Sequence, residues 1–318
     1  MRGGCIRFAV SVAFAMLPLS ACQPADRLQE PTPTHPAEAA SQDARAHIVD
    51  VVALDFAFEA PCEIPSGWTT FRMKNAGQMI HFALLTRLPE GITFTQYLET
   101  VVPAFDQVWL QLRDGKIDQA QAGQDLGRLL PEWYLSSAKQ MGGPGFVAPG
   151  LTAETTVNLD AGTYVMECYV KTADGTFHTS LGMIRPLTVT EVLSAASAPD
   201  ADIQITLTNY EMAVEGTLTP GAHTVAVHFE EHPEFGLGND VHLARLDADT
   251  DIGTLVEWLN WMNIGGLQPP APALFVGGTH EMPVGNTAYF TVTLEPGRYV
   301  WIAESTAAQG MLNEFVVE

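Results

Sequence analysis

Cysteine, histidine and methionine side chains offer donor atoms soft enough to hold a transition metal, and this sequence groups them in two places. The stretch Tyr164-Val-Met-Glu-Cys168-Tyr-Val-Lys-Thr-Ala-Asp-Gly-Thr-Phe-His178-Thr-Ser-Leu-Gly-Met183 leaves a strand pattern at a cysteine, runs through a loop, and re-enters a strand after a Gly-Met pair. Far upstream, Asn75-Ala-Gly77-Gln-Met-Ile-His81 follows the strand-like run Trp68 to Lys74. Of the four cysteines, Cys5 and Cys22 fall in the N-terminal segment, which leaves Cys62 and Cys168. These two could be joined as a disulfide in an oxidising compartment, or one of them could be a metal ligand.

The elements that must position such residues are short alternating apolar stretches bounded by Gly and Pro. Thr155 to Leu159, Thr163 to Val170, Thr291 to Leu294 and Arg298 to Ile302 read as strands. Two helices interrupt the pattern. Thr93-Phe-Thr-Gln96 and Thr254-Leu-Val-Glu257 each fit a capping box, and each is followed by apolar residues at helical spacing: Phe94, Tyr97, Leu98 and Val101 in one, Leu255, Trp258, Leu259 and Met262 in the other. Further helix is predicted around Glu132 to Lys139. Asp247, Asp249 and Asp251 look like part of a calcium loop, but Gly253 and Glu257 are each one place off, and their charge suits the start of the helix at Thr254.

The chain repeats itself. Pro65-Ser66-Gly67, His81, Arg87-Leu88, Gly142-Gly143, Leu159-Asp-Ala-Gly162-Thr-Tyr164 and Gly182-Met183 recur in order as Thr219-Pro220-Gly221, His242, Arg245-Leu246, Gly277-Gly278, Leu294-Glu-Pro-Gly297-Arg-Tyr299 and Gly310-Met311. One domain has been duplicated. The resulting expectation is an all-β protein of two tandem Greek-key β-sandwich domains with short helical inserts. Residues 47–192 form the first, 193–202 a linker and 203–318 the second.

At this point the sequence resembles the cupredoxins, the blue-copper family, and its site loop is most similar to the copper nitrite reductases and related multicopper proteins. The resemblance implies that His81, Cys168, His178 and Met183, in this chain order, are the four ligands of one copper ion. A thiolate stabilises Cu(I), imidazoles suit both copper states, and a long thioether bond tunes the potential. The implied role is electron transfer or copper holding, without an open position for bond-making. Three departures stand out. Glu167 occupies the place where those enzymes have a histidine for a second copper, the Cys168-to-His178 loop is longer than in small blue-copper carriers, and the insert between His81 and Cys168 is large. Copper binding requires the Cys168 sulfur within about 4 Å of both imidazole nitrogens, since ligand bonds are near 2 Å. A Cys62–Cys168 disulfide would instead leave a metal-free cupredoxin-like binding or scaffold protein. In the second copy Ala303 replaces the cysteine and Thr306 the second histidine, so that domain is expected to lack the site and to serve structure or partner binding.

Composition narrows the rest. The 318 residues are 47% hydrophobic and 16% charged, which suits two globular domains. Fifteen Lys and Arg against 37 Asp and Glu give a formal charge of -22, with no basic cluster, which excludes a phosphate-binding footprint and nucleic acid as a partner. No phosphate loop, Gly-x-Ser-x-Gly or His-Glu-x-x-His motif is present, so no nucleotide partner and no enzyme activity are expected. Arg2 and Arg7, the apolar run Phe8 to Leu17 and the closing Leu19-Ser20-Ala21-Cys22 read as a signal peptide over 1–21. Leu-Ser-Ala-Cys resembles a bacterial lipobox, which implies a lipid on Cys22. Gln23 after it implies an outer-membrane lipoprotein, facing the periplasm or the cell surface. Residues 22–46, rich in Pro and Ala, read as a tether. The expected partners are the membrane, through that anchor, and a redox or other envelope protein.

Overall fold

Alternation of buried and exposed residues along successive strands builds most of the molecule. The computed structural model describes residues 46–233 and 238–318. The first copy contains β1 (Ile48–Leu54), β2 (Ala57–Glu59), β3 (Glu63–Asn75), β4 (Leu84–Arg87), β5 (Lys139–Gln140), β6 (Thr152–Leu159), β7 (Gly162–Glu167) and β8 (Ile184–Leu193). The second contains β9 (Ile203–Leu207), β10 (Met212–Gly216), β11 (Gly221–Phe229), β12 (Val241–Leu246), β13 (Leu274–Thr279), β14 (Thr287–Leu294), β15 (Gly297–Ile302) and β16 (Leu312–Val317). The expected signal peptide, the lipidated Cys22 and the tether lie, apart from Ala46, outside the described residues. Among the described residues no helix is long and apolar enough to cross a membrane.

Strand pairing repeats as the sequence does. β1 runs parallel to β3 and β3 antiparallel to β6, as β9 does to β11 and β11 to β14. The β4–β7–β8 meander recurs as β12–β15–β16. β3 is long enough to serve both layers of its sandwich: Glu63–Ser66 pair with β8 and Gly67–Lys74 with β6. Even the corner before β7 is duplicated. Tyr164 donates to the Asp160 carbonyl and Arg87 to that of Ala161, while Tyr299 donates to Glu295 and Arg245 to Pro296. The copies are joined through β6 and β14, which pair antiparallel, so that one sheet continues from copy to copy. The buried apolar side chains of both form one cluster.

Helices α1 (Phe94–Arg113), α2 (Gln119–Leu129) and α3 (Glu132–Ser136) fill the insert of the first copy, and α4 (Ile252–Leu259) that of the second. Thr93 and Gln96 form the expected capping box. α1 then buries Tyr97, Val101, Ala104, Val108, Trp109 and Leu112 along one face. α3 stops at Ser136, short of the predicted Lys139, which enters β5 instead. Helix α2 is not predicted from the sequence, because its composition is mostly polar and leaves no apolar stripe to read. The start of α4 differs from expectation. Asp251, not Thr254, is the cap, accepting the Thr254 N–H at 2.8 Å, because a carboxylate at the cap also meets the positive end of the helix dipole.

Candidate metal centre

Cys168 is the first residue after β7, fully buried, at the start of a loop that closes on itself through the backbone. Its N–H donates to Met183 O at 3.1 Å, the Met183 N–H to His178 O at 2.9 Å, and the His178 N–H to Val170 O at 2.8 Å. Gly182 turns the chain back at φ 110°, a conformation that side chains resist. Cysteine, histidine and methionine are thereby gathered at one end of the sandwich, all three with no exposed surface.

His81 arrives from the opposite side. Asn75, at the end of β3, pins the connecting loop: its amide donates to Met79 O and to Val147 O, each at 2.8 Å, and its carbonyl accepts the Gly77 N–H. Gly77 must lack a side chain, because a Cβ there would lie 2.3 Å from Asp55 Oδ1 and 2.7 Å from His81 Nε2. The crowding has a purpose. Asp55 Oδ1 accepts from His81 Nε2 at 3.0 Å and the carboxylate also accepts the Gln78 N–H, so the ring proton is held on Nε2 and the bare Nδ1 faces inward. Phe56, next in the β1–β2 turn with φ 69°, packs edge-on against His178 at 5.1 Å. Neither Asp55 nor Phe56 was expected from the sequence. The signal that marks them is a turn of Asp-Phe between two strand patterns where glycine or asparagine is usual.

The three donors converge. Cys168 Sγ lies 3.9 Å from Nδ1 of His81 and 3.9 Å from Nδ1 of His178, which meets the distance an ion between them requires. Donor atoms of the three residues lie within 4.8 Å of one another, all buried. The backbone N–H groups of Phe82 and Val170 partly offset the effect of burial on the Cys168 thiol. Burial pushes the Cys168 thiol up to about 12 and, together with the charge of His81, the His178 imidazole down to about 3. The imidazoles are therefore neutral and ready to ligate, whereas the thiol gives up its proton only to a cation. Two imidazoles, a thiol and the thioether of the adjoining Met183 match copper's preferences, so the residues fit the ion that the sequence implied.

The alternative reading of Cys168 is corrected. Its thiol is free, so Cys62 is not bonded to it. Cys62 sits just before β3, where its sulfur accepts from Arg185 Nη2 at 3.3 Å, while Cys168 is enclosed between two imidazoles. The metal-free scaffold that such a bridge would have produced is withdrawn.

The long loop between Cys168 and His178 does not distort the site, because it is clamped from outside. Trp109 of α1 donates to Gly175 O at 2.6 Å, Lys171 N–H donates to Leu267 O, and Lys171 Nζ donates to Trp261 O at 2.8 Å. Glu167 faces away from the centre and accepts from Tyr97 Oη at 2.5 Å, lining a cavity with Val101, Phe105, Tyr134 and Trp261. The second copy keeps the loop without the ligands: Ala303 N–H donates to Met311 O, and Met311 N–H to Thr306 O. His242 and Met311 are buried there with no thiolate beside them, so that end of the sandwich cannot form the same centre.

No protein-family model and no curated protein matches the chain. Solved structures do. Auracyanin A of Chloroflexus aurantiacus, described as a "blue" copper protein, is 20% identical over 46% of this chain and 100% of its own, with a TM-score of 0.28. A multicopper oxidase is 13% identical over 88% of this chain and 92% of its own, with a TM-score of 0.24. A copper-containing nitrite reductase of Thermus scotoductus is 10% identical over 86% and 61%, with a TM-score of 0.21. Scores this low carry no weight, and the assignment stands on the strand pairing and the donor atoms. Together these define a cupredoxin-like fold with a candidate metal centre of His81, Cys168 and His178, to which Met183 is joined through the backbone. One expectation is overturned at this point. The expectation that the chain is not an enzyme is not kept, since the lack of a familiar catalytic motif excludes no activity; the matched structures include a multicopper oxidase, a laccase and a nitrite reductase.

Proposed function

We propose that this protein carries single electrons through a mononuclear copper ion held by His81, Cys168, His178 and Met183. The observation that carries this reading is the placement of the Cys168 sulfur at equal distances from two inward-facing Nδ1 atoms. Bound copper would supply a Cu(II)/Cu(I) couple. The chain supplies rigidity: the Asp55 contact fixes one imidazole and the backbone loop bonds fix the other. Ligands that need not move between oxidation states keep the reorganisation cost of electron transfer low. A lipid on Cys22 and a tether over 22–46 would hold the protein at the outer membrane, within reach of a redox partner in the envelope.

A second reading is favoured by the cavity beside Glu167. Burial pushes that carboxyl up to about 7, and the cavity wall is largely aromatic. A small phenol held there would place its hydroxyl beside Glu167, which would take its proton, and copper, when bound, would supply the one-electron acceptor.

The test is an absorption spectrum of the full chain with added Cu(II), alongside Cys168→Ser. An intense visible band that vanishes in the variant supports the first reading. No band from a chain with a titratable free thiol would overturn it. Loss of the band on adding a phenol, abolished by Glu167→Gln, would select the second.

A further inference from the structure

A second group of ligand-type side chains lies in the other copy, where the sequence showed only a missing thiolate. Asp240, His242, His280 and Glu304 are all buried, and one donor atom from each lies within 4.8 Å of the others. Three strands deliver them. Asp240 and His242 stand at the start of β12, His280 follows β13, and Glu304 follows β15 at the position that Tyr169 occupies in the first copy.

Their hydrogen bonds leave specific atoms over. The Phe146 N–H donates to His242 Nδ1 at 3.3 Å, so the ring proton sits on Nε2 and donates to Asp240 Oδ2 at 3.2 Å. The other Asp240 oxygen accepts the Glu304 N–H at 2.7 Å. Glu304 Oε2 accepts from Tyr169 Oη at 2.9 Å. His280 Nε2 and Glu304 Oε1, both buried, have no hydrogen-bond partner among the described residues. An unpartnered imidazole nitrogen and an unpartnered carboxyl oxygen in the interior cost free energy, which one ion bound by both would recover. His280 Nε2 and Glu304 Oε1 are too far apart to bond each other, yet the four residues offer donor atoms within 4.8 Å of one another, close enough for a small inward shift to bring them onto one ion with bonds of about 2 Å.

The geometry points to a second metal site, in which Asp240, His280 and Glu304 hold a divalent first-row transition ion and His242 orients Asp240. Nitrogen and carboxylate donors without a thiolate suit Zn(II), Mn(II), Fe(II) or Cu(II) and disfavour Cu(I). Three protein donors leave coordination positions open. None of the copper ligands takes part, so this site stands or falls independently of the first. The two are nonetheless neighbours. Tyr169, bonded to Glu304, follows Cys168, and Phe82, whose ring lies 4.4 Å from that of His280, follows His81.

Zn(II) is the probe, because it is redox-silent. The full chain carrying Cys168→Ser and His178→Ala, which removes the first site, is dialysed against Zn(II) and its metal content measured. One zinc per chain is expected. Adding Glu304→Gln, which keeps an acceptor for Tyr169, should weaken binding by more than about 100-fold, beyond the loss typical of an outer-shell partner. Adding His280→Ala should do the same, with circular dichroism unchanged. No zinc uptake, or uptake indifferent to both substitutions, overturns the proposal. Should either substitution unfold the chain, X-ray absorption at the zinc edge of the parent variant decides. A shell of nitrogen and oxygen with one imidazole supports the site, and a shell with sulfur or with two imidazoles overturns it.

Discussion

Asp55 Oδ1 lies 3.0 Å from His81 Nε2, and this contact determines which ring nitrogen faces Cys168. Burial pushes Asp55 up, but N–H bonds from Gln78, His81 and Met79 outweigh it and hold the carboxyl below its usual range. The group is thus ionised, and able to hold the ring proton, at any pH where the protein works. Asp55→Asn should therefore leave the fold intact and weaken copper binding by about 10–100-fold, read by competition with a chelator. An unchanged affinity would show that the loop alone orients His81.

Copper uptake should release a proton. With the thiol pushed up to about 12 and burial holding both imidazoles below the ordinary histidine range, the metal-free site at neutral and mildly alkaline pH holds one displaceable proton, on sulfur. Raising the pH therefore favours binding, and the logarithm of the affinity should rise by about one unit per pH unit from neutral to mildly alkaline solution. A flat profile would mean that the thiol is already ionised.

Glu167 links the aromatic cavity to stability. Burial disfavours the charge and pushes its carboxyl up to about 7 in the folded state, above the ordinary glutamate value of 4.5. The folded state therefore binds more protons than the unfolded state between those values, and this group's contribution to stability falls as the pH rises through them. Glu167→Gln cannot ionise, so it should gain on the wild type between pH 5 and pH 8, by up to about 3 kcal/mol, in denaturant unfolding at both values. Equal losses for both proteins would remove Glu167 as the cause.

Phe146 is fully buried where the copies meet, its ring 5.2 Å from Phe82, 5.1 Å from Phe275 and 4.5 Å from His242. Phe146→Ala should cost about 3–5 kcal/mol, because the cavity it leaves is walled by both copies and cannot collapse. Thermal unfolding should then show one lowered transition, as a shared core requires. Two separated transitions would mean that the copies unfold independently.

The sequence by itself determined the local things. Alternation over Thr152–Leu159 and Thr287–Leu294 set strands, Thr93 and Gln96 set the start of α1, and the ordered residues His81, Cys168, His178 and Met183 set the chemistry available. These are legible because backbone preference and side-chain periodicity act over a few residues. What only the tertiary structure decided depends on groups far apart in the chain. Whether Cys168 meets two imidazoles or Cys62 is a matter of which strand ends share an interior. Asp55 became visible only when the β1–β2 turn folded over His81. The pairing of β6 with β14, and the meeting of Tyr169 with Asp240, His280 and Glu304, join the two copies in space. No local pattern encodes such meetings. They follow from the burial of one apolar core, which brings distant polar groups together and leaves them only one another, or an ion, as partners.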